Sequence, residues 1–261
     1  MLILLCVNAL IATALFALAW AICVRLKNYS FLDVTWTLCI GLFAVVDEVY
    51  GSGASARRLM FAALGAAWSL RLGLFILLRV LRHHPAEDKR YRSLRERWKT
   101  PVAFLGFFEL QALIAVVFSW PFLAAALAPR PQFAVIEWVG LIIAAGGIVG
   151  EAIADHQAET FKRRADAKST VLDVGLWRYS RHPNYFFEML VWIGFGAASL
   201  SLPDGWPAVS CPVLIAYFLL RVTGVPLTEK HSVETHGDAY RDYQRRTSAV
   251  IPWPPRPSVQ S

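Results

Sequence analysis

The sequence predicts an all-α protein that crosses a membrane on seven helices. Of its 261 residues 56% are hydrophobic and its mean hydropathy is +0.45, a balance that does not suit a soluble fold. The apolar residues are also gathered into long runs separated by charged loops. The net charge of +7 would point a soluble protein toward nucleic acid. Here the lysines and arginines are spread over the loops between apolar runs, so membrane orientation explains them and no nucleic-acid partner is expected.

A spanning helix needs roughly 17 to 25 mostly apolar residues. Runs of about that length cover 2–24, 31–46, 59–81, 102–127, 133–154, 185–202 and 209–225, the second being the shortest, and a tail over 226–261 completes a single membrane domain. With seven spans, Arg25, Lys27, the loops 82–99 and 162–181 and the tail share one side, leaving Arg57, Arg58 and Arg130 on the other. Basic residues gather on cytoplasmic loops, which places the N-terminus outside and the C-terminus in the cytoplasm. The first run is expected to be a retained helix despite Ala17-Leu18-Ala19, because no positive segment precedes it. Cys6, Cys23, Cys39 and Cys211 lie in or beside apolar runs without paired spacing, and His83-His84 are adjacent with no further ligand at useful spacing. No metal site is expected from either set.

The second run opens with Asp33 and Trp36, one helical turn apart. A carboxylate at the bilayer centre costs about 3 kcal/mol, so Asp33 is either a functional acid facing the interior or an interfacial residue at the helix end. Asp47 and Glu48 at the far end are expected to be solvated. In the third run Arg71, one turn from Trp68, needs a partner such as Asp33 or a bound anion, whereas Arg79 is close enough to the end to snorkel. The loop that follows suits an amphipathic helix in which Glu87, Asp88, Arg90 and Tyr91 are placed to grip a ligand. Pro121 breaks the fourth run. In the fifth, Gly146 and Gly150 form a small-x-x-x-small pair for close packing. Beyond them Glu151 and Asp155 share a face, suited to amide or ribose hydrogen bonds, to acid–base work, or simply to a helix end emerging into water.

The chemistry converges on GLWRYSRHPNYFFE, residues 175–188. Pro183 keeps the residues before it extended and starts a helix at Pro183 or Asn184, while Arg178, Arg181 and His182 beside that helix start make a seat for phosphate or carboxylate. The other reading is a basic anchor that snorkels to headgroups. Glu188 lies one turn beyond Asn184. Leu202-Pro203-Asp204-Gly205 reads as a tight turn, the segment 237–252 as a strap over the cytoplasmic mouth, and PWPPRPSVQS as a poorly ordered end.

Arg181-His182-Pro183-Asn184-Tyr185 with Glu188, Asp155-His156-Gln157 to Lys162, and Tyr240-x-x-Tyr243 to Ile251-Pro252 together resemble the steroid 5α-reductase family, in particular its bacterial DUF1295-type members. The resemblance implies an enzyme of a bacterial inner membrane that uses NADPH to reduce the carbon–carbon double bond of a 3-oxo-Δ4 steroid or similar enone. It implies that Asn184, Arg181, His182, Asp155, Lys162, Arg221 and Tyr243 hold the dinucleotide. Arg178 of the anion seat and Tyr240 and Arg246 of the tail complete that set. Glu188 matches the acid that supports the asparagine or the nicotinamide amide. Asp33 stands near the family's second-helix acid, and desolvation would keep it protonated for the enone oxygen. The family's third-helix tyrosine is missing, since that segment reads Ala67-Trp68-Ser69. Tyr91 is the replacement, and Trp68 the wall of an apolar slot. The Arg-His-Pro turn is shared with isoprenylcysteine carboxyl methyltransferases, which is one alternative. A lipid-binding or transport protein without turnover is the other. Neither a Walker loop nor a Gly-x-Gly-x-x-Gly fingerprint occurs, which excludes a soluble Rossmann domain.

Overall fold

The computed structural model describes residues 1–98, 100–164 and 170–257. Lys99, the middle of the 162–181 loop and the last four residues of the tail, counted above among the cytoplasmic segments, lie outside the described residues. Every regular element described is helical: α1 (Leu2–Leu26), α2 (Phe31–Tyr50), α3 (Ser55–His83), α4 (Lys89–Arg97), α5 (Pro101–Phe118), α6 (Trp120–Leu127), α7 (Val135–Lys162), α8 (Pro183–Ser199), α9 (Ser210–Tyr217), α10 (Val225–His236) and α11 (Asp238–Arg246). Five helical segments are long and apolar enough to cross a membrane: Leu2–Leu26, Ser55–His83, Pro101–Leu127, Val135–Lys162 and Trp206–His236. The protein is an integral membrane protein. The two other expected spans are α2, whose 20 residues carry Asp33, Asp47 and Glu48, and α8, which has only 17 residues.

The chain divides into two compact units, Met1–Trp138 with Ala198–Ala208, and Val139–Ala197 with Val209–Ser261. In the first unit α2 lies against α3, and α1 against both α2 and α5. Small residues set the α2–α3 approach: a methyl group at Gly41 would come within 2.1 Å of Ser69 Oγ, which itself donates to Thr37 O at 2.9 Å. Pro121 divides the expected fourth run into α5 and α6, and at the joint the Ser119 hydroxyl donates to Val116 O at 2.7 Å. Two charged residues inside this unit are buried with partners. Asp47, expected to be solvated, is fully buried and accepts from Asn8 Nδ2 at 3.2 Å. Arg57, expected on an outside loop, is also fully buried. It donates to Glu137 Oε2 at 2.6 Å and to the carbonyls of Arg130 and Gln132. An apolar helix bundle leaves no water to satisfy such groups, so they find each other.

The turn before α9 closes on Gly205, where any side chain would strike Ser199 O at 1.8 Å. In the second unit α8 packs on α7. Gly150 serves this contact as expected, facing the Phe187 ring at 2.3 Å from a would-be methyl, but its companion is Gly147 against Val191, not Gly146. Gly146 is exposed and a side chain there meets nothing. The correction follows from geometry, because Gly147 and Gly150 sit three residues apart on the face turned to α8. After α9 the chain widens into a π turn over Phe218–Val222, where the Thr223 amide donates to Phe218 O at 2.8 Å, and restarts as α10 with Pro226 in its first turn.

Gly150→Leu is expected to lower stability by about 1–3 kcal/mol through overpacking against Phe187, whereas Gly146→Leu leaves it unchanged. Thermal unfolding of the purified protein in detergent checks both.

Candidate functional site

The expected site residues fall into two groups, one in each unit. In the first, the loop before α4 is fastened to the loop before α2. Asn28 Nδ2 donates to Ala86 O at 3.3 Å, the Tyr29 amide to Glu87 Oε1 at 2.9 Å, and the Asp88 amide to Ser30 Oγ at 2.9 Å. Asp88 then caps α4 by accepting from the Arg90 amide at 2.9 Å. That registration brings Arg90 and Tyr91 onto Asp33. Arg90 Nη2 donates to Asp33 Oδ2 at 2.7 Å and the Tyr91 hydroxyl to Asp33 Oδ1 at 2.6 Å.

Electrostatics follow the geometry. The charge of Asp33, opposed by burial, lifts the Arg90 guanidinium above its ordinary value. Burial, then the charge of Asp33, pushes the Tyr91 phenol well up. Burial would raise Asp88, but hydrogen bonds from Arg90 and its charge hold it below the usual carboxylate value. Both Asp33 oxygens are thus engaged by side chains of α4. One turn along α2, Trp36 stands edge-on to Trp68 with centroids 6.2 Å apart. Trp68 is fully buried.

In the second unit α8 begins at Pro183, as the proline predicts. Glu229 of α10, which sequence reasoning did not single out, is the hub. It receives Arg181 Nη2 at 2.6 Å, faces His182 Nε2 at 3.2 Å and accepts from Gln244 Nε2 at 2.8 Å. Arg181 Nη1 also donates to the carbonyls of Gln244 and Thr247 at 3.0 and 2.6 Å. The Arg181 guanidinium is thus engaged by this chain's own oxygens. His182 is buried and stacks on Tyr185 with centroids 5.2 Å apart. These two residues fasten α10, α11 and the tail to the head of α8. The only available cue was the position of Glu229 just after Pro226, where an apolar run gives way to charge.

The tail does fold back, as a docked segment. Arg181 and Trp253 amides donate to Ser248 O and Tyr179 O, each at 2.9 Å, and the Ser180 hydroxyl donates to Val250 O at 2.7 Å. The end expected to be poorly ordered is held through Pro257. Between 252 and 257 the only residues with an amide proton are Trp253 and Arg256, and both are bonded, the latter to Arg246 O at 3.0 Å. Tyr240 and Tyr243 of α11 are the buried residues of the strap, and the Tyr243 hydroxyl donates to Trp177 O. Burial, then the charge of Glu229, pushes the Tyr240 phenol up to about 12.

Asn184 and Asp155 meet, with Asn184 Nδ2 3.4 Å from Asp155 Oδ1. Asn184 Oδ1 is enclosed yet has no hydrogen-bond partner. Glu188, one turn on, accepts from Trp192 Nε1 at 2.9 Å. Arg178 and Arg246 line an open cleft of about 500 Å³ with Asp173, Gly175, Thr247 and Arg256. Arg246 is partly spent on Asp242, to which Nε donates at 2.7 Å. Lys162 is exposed and bonds Glu159 at 3.0 Å, and Arg221 lies exposed on the π turn.

The fold and these two groups define a helical membrane protein with buried, interlocked polar residues in each of its two units. More narrowly, the chain belongs to the family described as "Protein of unknown function (DUF1295)", whose model matches residues 19–247. An uncharacterized protein of Schizosaccharomyces pombe is 27% identical over 275 residues, covering 94% of this chain and 79% of that relative. No solved structure matches.

Glu229→Ala strips Arg181 and His182 of their shared carboxylate. It should cost about 3 kcal/mol, as breaking a largely buried pair does, and release the tail to trypsin at Arg241 and Arg245. Unfolding curves and limited proteolysis read both effects. Because the folded Tyr240 phenol is raised above its ordinary value, its contribution to stability is complete below pH ~10 and is lost as pH rises through about 12. Tyr240→Phe should remove that late component from a tyrosinate absorbance titration.

Proposed function

We propose that the protein is an NADPH-dependent reductase of the C4–C5 double bond of 3-oxo-Δ4 steroids or related enones. On this reading it works in a bacterial inner membrane on seven spans, with its N-terminus outside and its C-terminal tail in the cytoplasm. The observation that carries the reading is Asn184. A buried carboxamide oxygen without a donor is costly, and the ligand group that matches it is another carboxamide, such as the one on nicotinamide. Asp155, which meets Asn184 from α7, and Glu188, one turn along α8, supply further acceptors, and both are buried.

Asn184, Asp155 and Glu188 therefore hold the nicotinamide end, and Arg178 and Arg246 hold the phosphates from their cleft. Arg181 and His182 set the frame through Glu229, and Tyr240 and Tyr243 anchor the strap. Lys162 and Arg221 meet the charged periphery of the dinucleotide from exposed positions, Lys162 by turning from Glu159. NADPH when bound supplies the hydride that the β carbon of the enone accepts, and protonation of the α carbon completes the reduction. Negative charge then develops on the enone oxygen, so neutral or cationic donors must face it. Tyr91, held protonated by burial and by Asp33, and Arg90 beside it supply that polarity around the oxygen while their own hydrogen bonds stay on Asp33. Trp68 offers an apolar wall for a flat ring system.

Purified protein should consume NADPH, followed by its absorbance, with testosterone, progesterone, androstenedione or smaller enones. Asn184→Ala should weaken NADPH binding by about 1–3 kcal/mol, the worth of one buried hydrogen-bond partner. If none of these enones consumes NADPH while the protein binds S-adenosylmethionine, the reading is wrong and methyl transfer takes its place.

A further inference from the structure

We infer that the indole N–H of Trp36 is the donor that receives the ketone oxygen of the substrate. The inference rests on the reductase reading above and adds a residue to the group around Asp33 in the first unit. Trp36 is three residues after Asp33 on α2, so the two share a face. Its ring is fixed edge-on by Trp68 and by Phe118, at centroid distances of 6.2 and 5.1 Å, and both neighbours are fully buried.

Trp36 Nε1 is itself buried and has no hydrogen-bond partner. Other indoles of this chain are satisfied: Trp20 donates to Pro101 O, Trp120 to Asp204 O, Trp177 to Ala154 O and Trp192 to Glu188 Oε1. An indole N–H can only donate, so the missing partner is an acceptor. Two features narrow the acceptor further. The ring's neighbours are aromatic, which favours a flat apolar ligand. The Asp33 carboxylate one turn away disfavours an anion. A ketone oxygen on a flat hydrocarbon skeleton meets both conditions.

The donors around Asp33 are already committed, Tyr91 to Oδ1 and Arg90 to Oδ2 and to Asp88. Trp36 is the uncommitted one. It is neutral, it transfers no proton, and its rigid seat means that its hydrogen bond strengthens as charge builds on the oxygen without any rearrangement.

Two measurements test this on the full-length protein in detergent. Trp36→Phe should lower kcat/KM for enones on the order of 100- to 1000-fold, the scale of losing one oxyanion donor, with the Kd for NADPH within about twofold of wild type. In a ¹⁵N-tryptophan spectrum, the indole resonance absent from Trp36→Phe, or from Trp36→Tyr should the first variant not fold, should move downfield on saturation with the saturated product ketone. An unchanged kcat/KM, or an unmoved resonance, overturns the inference while leaving NADPH reduction standing. If the wild type reduces no enone, the reductase reading fails by itself. The resonance then still decides whether Trp36 binds a ketone.

Discussion

Charges and amides enclosed by apolar helices cannot be solvated, and this structure is organised by where each finds its partner. Glu229 is the clearest case, since a single carboxylate holds Arg181, His182 and Gln244, and through them the head of α8, α10, α11 and the tail. The same constraint acts in the first unit. Arg57 closes on Glu137 with both side chains fully buried, tying the 128–134 loop to α3. Asp33 draws Arg90 and Tyr91 down onto α2. Pairs of this kind stabilise less than their Coulomb energy suggests, because desolvation offsets most of it. Their larger effect is on uniqueness, since few other packings leave none of these groups stranded.

Against that background, polar atoms that stay unpaired acquire meaning. Asn184 Oδ1 is an acceptor without a donor and Trp36 Nε1 a donor without an acceptor. Each is held rigidly, the first one turn before Glu188 at the head of α8 and the second between two aromatic rings. A carboxamide N–H would match the first of these atoms in sign and a carbonyl oxygen the second. Arginines that look from sequence like ligands for phosphate divide differently. Arg181 serves the scaffold, and Arg178 and Arg246 face an open cleft.

Much of the local structure was legible before any coordinates. Periodicity and length gave the apolar helices, Pro183 gave the start of α8, and Pro121 gave the break between α5 and α6, because proline acts through its own ring and missing amide. Composition was a poorer guide to burial. Asp47 and Arg57 look like loop charges, yet both are buried because their partners, Asn8 and Glu137, lie 39 and 80 residues away in the chain. Gly146 and Gly150 have ideal spacing for packing, but Gly147 takes the first position since the face α7 turns to α8 is set by Phe187 and Val191. The docked end at Trp253 and Arg256 was missed because a proline-rich run carries no pattern that reveals what its few amides will meet.

By itself, then, the sequence determined a helical membrane protein, the places where helices start and break, and the segments 33–36 and 175–188 as those richest in chemistry. These follow from hydrophobicity, proline and helical period, which act over one or two turns. Only the tertiary structure decided that Glu229 gathers Arg181 and His182, that Asp33 is occupied by Arg90 and Tyr91, and that Asn184 and Trp36 keep an unspent hydrogen-bonding atom. Such assignments depend on contacts between distant segments in a medium without water, where the pairing of each buried group is set by all the others at once.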